Sequence, residues 1–177
     1  LVFWTGHADW SRRYGLDDAT TRRLSLLLVF LVLIFVYPLR MVFAAFFSFV
    51  SGNWLPANFS VGLWSDIPAL FVTYGLAYGA LCAVMWMLYR HAWRCRIAVG
   101  LARAECIAVR MSQFKWAIQI LAAGLSLLLA LLIMKIGSSA WSWQLGVPGY
   151  VYGANMLARS LLVPRYERRI RALDAAA

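Results

Sequence analysis

The sequence has little charge, few acidic residues and only three cysteines. Charged residues make up 14% of the 177, whereas 63% are hydrophobic. Few water-soluble domains have so little charge, because their surfaces need ionic side chains. Cys82, Cys95 and Cys106 have no close CxxC spacing, and their odd number leaves no complete disulfide framework. We therefore expect lipid to be the solvent for much of the surface, and the cysteines to be reduced packing residues.

Motifs for catalysis and metal binding are also absent from the sequence. It contains no HExxH, no Walker-type loop, no nucleophile elbow and no clustered metal ligands. His7 and His91 are isolated in the sequence, so ordinary interfacial hydrogen bonds are expected for them. These absences predict a protein that is not an enzyme and that has no cofactor and no metal site.

Long apolar runs predict an all-α fold, namely a polytopic membrane helical bundle. A hydrocarbon core about 30 Å thick needs roughly 20 apolar helical residues. Four transmembrane helices are predicted within a domain over 24–163, at 24–50, 68–89, 116–134 and 147–163. No Asp or Glu occurs inside these four segments. This argues against a proton relay, a carboxylate cation site and a small acid-coupled transporter.

The distribution of Lys and Arg predicts the orientation. The net charge of +10 is compatible with binding to nucleic acid or to an anionic membrane. The hydropathy favours membrane lipids as the partner and argues against nucleic acid. Fourteen of the 17 cations lie in 1–23, in the basic segment 90–115 and in the tail 164–177. Because cytoplasmic loops carry this excess, both termini are predicted to be cytoplasmic, and the protein to be multi-pass in a bacterial inner (plasma) membrane. Residues 1–23 are interpreted as the end of an earlier helix and a cytoplasmic connection, so that the sequence begins inside the natural protein.

Small residues and one arginine stand out within the predicted spans. GxxxG pairs let helix backbones approach closely, and packing within one subunit is favoured over a subunit contact. Arg40 follows Pro38, which should bend the first span. An arginine at the bilayer centre costs about 2.5–3.5 kcal/mol, so Arg40 is predicted either to reach the outer headgroups or to set the field at an outer vestibule or interface. The two GxxxG pairs are Gly75 with Gly79, and Gly149 with Gly153.

Arg96, Arg103 and Arg110 recur at seven-residue spacing in the basic segment. On one helix this spacing places them along one face. The segment is predicted to continue the second span or to form an interfacial helix, whose arginines contact anionic lipid headgroups. The alternative is that they act only as a topology signal.

The opening of the sequence resembles the transmembrane protein 175 family of potassium channels. The resemblance rests on an aromatic-Trp-x-x-His pattern at Phe3-Trp4-Thr5-Gly6-His7, on Asp17-Asp18, and on a long aliphatic helix containing Pro38. It implies helices three to six of a six-helix unit. The family's first-helix motif, Arg-x-x-x-Phe-Ser-Asp, does not occur here, and Ser25 stands where members have Asn. The resemblance assigns Trp4 and His7 as partners of that motif, which hold the pore helix in place.

Two functions from different classes follow. The leading hypothesis is an oligomeric, channel-like protein that conducts a monovalent cation such as potassium, by dehydrating it at an apolar or carbonyl-lined constriction. The alternative is a non-conducting structural or assembly subunit of a larger membrane complex. In the first case the partners are further copies of the same chain, in a homo-oligomer, and the potassium ion. In the second case they are other membrane proteins.

Overall fold

The computed structural model describes residues 2–52, 54, 66–136, 147–155 and 157, and within them the chain is helical with short turns. A fifth helical segment covers 147–155. The four longer helices are α1 (Val2–Tyr14), α2 (Ala19–Val50), α3 (Asp66–Arg94) and α4 (Arg103–Ile136).

Three of these helices are long and apolar enough to cross a membrane, over Ala19–Ala44, Pro68–Arg94 and Arg103–Ile136. The outward side chains of α2, such as Leu26 and Leu33 at 71% and 68% exposure, are aliphatic and suit a lipid surface. The prediction of an all-helical membrane protein is therefore confirmed. The predicted fourth span is helical over 147–155, and most of its remainder lies outside the described residues.

Helix α2 begins before the predicted span because Asp18 caps it. Asp18 Oδ1 accepts the backbone N–H of Thr21 at 2.8 Å, which satisfies one of the free donors of the first helical turn. Pro38 lies inside α2, and the helix continues to Val50. Hydropathy alone does not detect the polar first turn, because its residues contribute nothing to an apolar run.

The prediction of one helix carrying Arg96, Arg103 and Arg110 is wrong. Residues 95–100 form turns between α3 and α4, so Arg96 lies outside the helix that carries the other two arginines. Gly100 has φ of +68°, a left-handed conformation that glycine adopts without strain and that other residues rarely adopt. This turn reverses the chain, so that α4 packs back against α3.

Helix α3 is at the centre of the bundle. It packs most extensively against α4, then against α2, and over a shorter length against α1. Its residues Leu81, Met85 and Leu88 have no exposed surface. Because α1 joins this core over only 13 residues, its placement depends on a few specific contacts.

Candidate functional site

Helix α1 has one face against the bundle and one face outside it. The Phe3 ring stacks on Trp116 of α4 with centroids 5.6 Å apart, and meets Tyr78 of α3 edge-on at 5.7 Å. The neighbouring Trp4 points away and is 68% exposed. Phe3 therefore anchors the helix, and Trp4 presents a large aromatic surface outside the bundle.

Gly6 lets α1 lie close to α3 and α4. A methyl group at this position would come within 3.2 Å of Met85 Cε and 3.3 Å of Trp116 Cζ2. Both distances are shorter than ordinary van der Waals contact. The missing side chain thus determines how closely α1 packs against α3 and α4, and with it the position of Trp4 at the surface of the bundle.

His7 connects the exposed face of α1 to α2. Its Nε2 shares a hydrogen bond with Ser25 Oγ at 2.9 Å. The imidazole lies between two indoles, with centroids 6.4 Å from Trp4 and 6.2 Å from the buried Trp10. Partial burial lowers the pKa of His7, which favours a neutral ring at neutral pH. Ser25 therefore holds the imidazole beside Trp4.

A polar cavity of about 220 Å³ lies between α1, α3 and α4. Its lining is Val2, Thr5, Gly6 and Asp9 from α1, Tyr89 from α3, and Ser112, Lys115, Trp116 and Gln119 from α4.

Buried polar contacts join α4 to its neighbours at the level of the membrane. Gln119 Oε1 accepts hydrogen bonds from the Tyr78 hydroxyl of α3 at 3.0 Å and from Asn155 Nδ2 at 2.5 Å. Ser126 donates to the Pro148 carbonyl at 2.8 Å. The sequence gave no indication that Gln119 is the shared acceptor.

The two glycine pairs have different surroundings. A Cβ at Gly79 would lie 3.4 Å from Ala123 Cβ of α4, and one at Gly75 would lie 3.6 Å from the Ala123 carbonyl oxygen. At Gly149 it would lie 2.9 Å from Phe71 Cζ, whereas at Gly153 nothing lies within 4 Å. Three of these glycines thus lie at helix contacts within this chain, and Gly153 faces open space.

The predicted site arginines lie on α2, in the turn after α3 and on α4. Arg40 is exposed on α2, two residues beyond the buried Pro38. Arg96 and Arg110 place their guanidinium carbons 4.6 Å from the centre of the Trp93 ring, a cation–π geometry. Arg103 is exposed at the start of α4. Two of the three arginines predicted to contact lipid headgroups thus contact the same Trp93 ring. The sequence did not indicate this contact.

One ionic contact was not apparent in the sequence. His91 Nε2 lies 2.6 Å from Asp18 Oδ2, although 73 residues separate them in the chain. Asp18 precedes α2 and His91 lies near the end of α3, so this contact joins the α1–α2 connection to the central helix. Contacts with Thr21 and with His91 lower the pKa of Asp18 to about 2.

The three apolar helices and the contacts among them define a multi-pass, all-helical membrane protein. Comparison with known proteins relates this architecture to potassium channels. The fold matches a crystal structure of a variant of the potassium channel MtTMEM175 in complex with a Nanobody-MBP fusion protein, with a TM-score of 0.76. The match covers 94% of this chain and 72% of the channel at 21% identity. The likeness to the fold of this channel family is thereby confirmed.

A sequence relative is a potassium channel of Marivirga tractuosa, 28% identical over 118 residues. The match covers 63% of this chain and 47% of the relative, so the chain spans about half the length of the curated protein that it matches. No protein-family model matches the sequence.

Proposed function

We propose that this chain supplies the supporting helices of an oligomeric channel that conducts a monovalent cation, namely potassium. Potassium is the ion in the descriptions of both similar proteins. In this proposal the four predicted spans cross a bacterial inner membrane and both termini are cytoplasmic. The Lys and Arg distribution supports that orientation.

The observation that carries the proposal is the exposed face of α1. Trp4 is 68% exposed, next to an imidazole held by Ser25. A rigid indole beside an oriented hydrogen-bonding ring suits close packing of another helix, with one polar contact to fix its register. In the family that this sequence resembles, that helix lines the pore. Trp4 and His7 would then position the constriction without touching the ion.

Potassium flux tests this function. The natural gene product is purified, its oligomeric state is measured, and it is reconstituted in liposomes carrying a potassium gradient. We expect flux well above that of empty vesicles, reduced by Trp4→Ala and by His7→Ala. Trp54→Ala is the matched control, because Trp54 is also strongly exposed, at 83%, and lies beyond the end of α2.

Two results would contradict the proposal. Flux no greater than in empty vesicles, from a folded and assembled sample, would favour the structural or assembly subunit. Undiminished flux in both Trp4→Ala and His7→Ala would show that α1 does not support the conducting element.

A further inference from the structure

Three different ligand types meet where the α1–α2 connection touches the end of α3. His91 lies in the last turn of α3, and Cys95 directly follows the helix. The Cys95 N–H still donates to the His91 carbonyl at 3.0 Å, so the helical spacing of four residues places both side chains on one side. Cys95 Sγ lies 3.8 Å from His91 Nε2, and Asp18 Oδ2 lies 2.6 Å from the same nitrogen. The three potential ligand atoms all lie within 4.8 Å of one another.

The carboxylate of this cluster is oriented by the helix that it caps. Asp18 Oδ1 accepts the Thr21 N–H at 2.8 Å, and Oδ2 is directed at His91. One oxygen is thus committed to α2 while the other remains available. The His91 side chain is 15% exposed and that of Asp18 is 43% exposed, so the cluster is held on one side by the protein and reached by water on the other.

Nitrogen, sulfur and carboxylate oxygen are the donors that zinc prefers, with bonds of about 2.0–2.3 Å. Tetrahedral angles at such bonds separate neighbouring donor atoms by roughly 3.3–3.6 Å. The Cys95–His91 distance is already close to this value. The exposed Asp18 carboxylate needs to withdraw from His91 by less than about 1 Å to admit an ion at these bond lengths.

We propose that Asp18, His91 and Cys95 form a binding site for a divalent transition metal of the zinc type, which ties the start of α2 to the end of α3. Binding removes the proton from the Cys95 thiol and places the remaining imidazole proton on Nδ1, so that Nε2 becomes a ligand. The thiolate and the carboxylate balance the two charges of the ion. Three protein ligands leave a fourth position for water.

Cobalt is a suitable probe, because a cobalt–thiolate bond gives a charge-transfer band in the near ultraviolet. The full chain, purified without a histidine tag and stripped with a chelator, is titrated with Co²⁺ and then with Zn²⁺. We expect one Co²⁺ per chain, a thiolate band, and its loss when Zn²⁺ displaces the cobalt. Cys95→Ser should abolish the band.

Matched variants distinguish this site from unspecific binding. Cys106→Ser should keep the band, because its thiol is directed at the Leu101 carbonyl and is not one of the three clustered ligand atoms. Asp18→Asn retains a helix-capping side chain but removes the anionic ligand. It should weaken binding by at least about tenfold, as even the loss of an outer-shell partner does. Circular dichroism of each variant verifies that the helices are intact.

The site is overturned if the folded wild-type protein shows no thiolate band at micromolar Co²⁺. It is equally overturned if the band persists in Cys95→Ser, or if Cys106→Ser loses it as completely. If Asp18→Asn binds Co²⁺ with unchanged affinity, Asp18 is not a ligand, and the metal does not link α2 to α3.

Discussion

Removing the shared acceptor in α4 should destabilise the bundle measurably. Gln119 is 6% exposed and accepts hydrogen bonds from Tyr78 and Asn155. Gln119→Leu keeps a similar volume but leaves both donors without this acceptor. Hydrogen bonds between membrane helices contribute about 0.6 kcal/mol on average and about 1.7 kcal/mol at most, so losing two predicts a cost of about 1–3 kcal/mol.

A double-mutant cycle isolates the Tyr78 contribution. The free energy of unfolding is measured by reversible SDS denaturation in mixed micelles for the wild type, Gln119→Leu, Tyr78→Phe and the double variant. We expect a coupling energy of about 0.6 kcal/mol or more. Tyr74→Phe is the matched control. Tyr74 is one turn away on the same helix, its ring stacks on Tyr78, and it has no hydrogen bond among the described residues, so its coupling to Gln119 should be near zero.

The reasoning fails if Gln119→Leu is as stable as the wild type, or if Tyr74→Phe couples to Gln119 as strongly as Tyr78→Phe does. The first result would mean that the hydrogen bonds add nothing to bundle stability. The second would mean that ring packing, and not the Tyr78 hydroxyl, links the two helices.

Two further changes test the helix contacts. Gly79→Leu should cost about 1–3 kcal/mol by overpacking against Ala123, whereas Gly153→Leu faces open space and should be nearly neutral; equal effects in SDS unfolding would contradict this packing. The lowered pKa of Asp18, near 2, makes its contribution to stability complete above its ordinary pKa of 3.8 and lost as pH falls through about 2. Thermal unfolding between pH 5 and pH 2 should therefore show a smaller drop in Asp18→Asn than in the wild type, and an equal drop would refute the stabilising role of the Asp18 charge.

The sequence predicted the apolar helices well because span length and hydropathy are local properties. The first three predicted spans each lie inside a described helix, and the boundaries differ where polar residues continue that helix. Arg103 to Lys115 belong to α4 because the chain has already turned at Gly100. Seven-residue spacing could not reveal this turn, since it describes a helix only when the backbone is continuous.

The parts of the site that depend on distant contacts could not be predicted in the same way. His7 and Ser25 are 18 residues apart, and Asp18 and His91 are 73 apart. Family resemblance named His7 and the position of Ser25 separately, but it did not predict their contact. Nothing comparable indicated the second pair, because a capping aspartate and a single histidine are common at helix ends and acquire a joint role only when the helices pack.

The connection between α1 and α2 is held to the rest of the bundle at both ends. On the α1 side, Gly6 packs against Met85 of α3, and His7 contacts Ser25 of α2. On the α2 side, Asp18 contacts His91 of α3. A metal bound at Asp18 and a helix bound at Trp4 would therefore act on the same short segment. Coupling between two binding sites is reciprocal. Metal binding should therefore change the affinity of the α1 face for the docked helix by the same factor by which the docked helix changes the affinity for the metal.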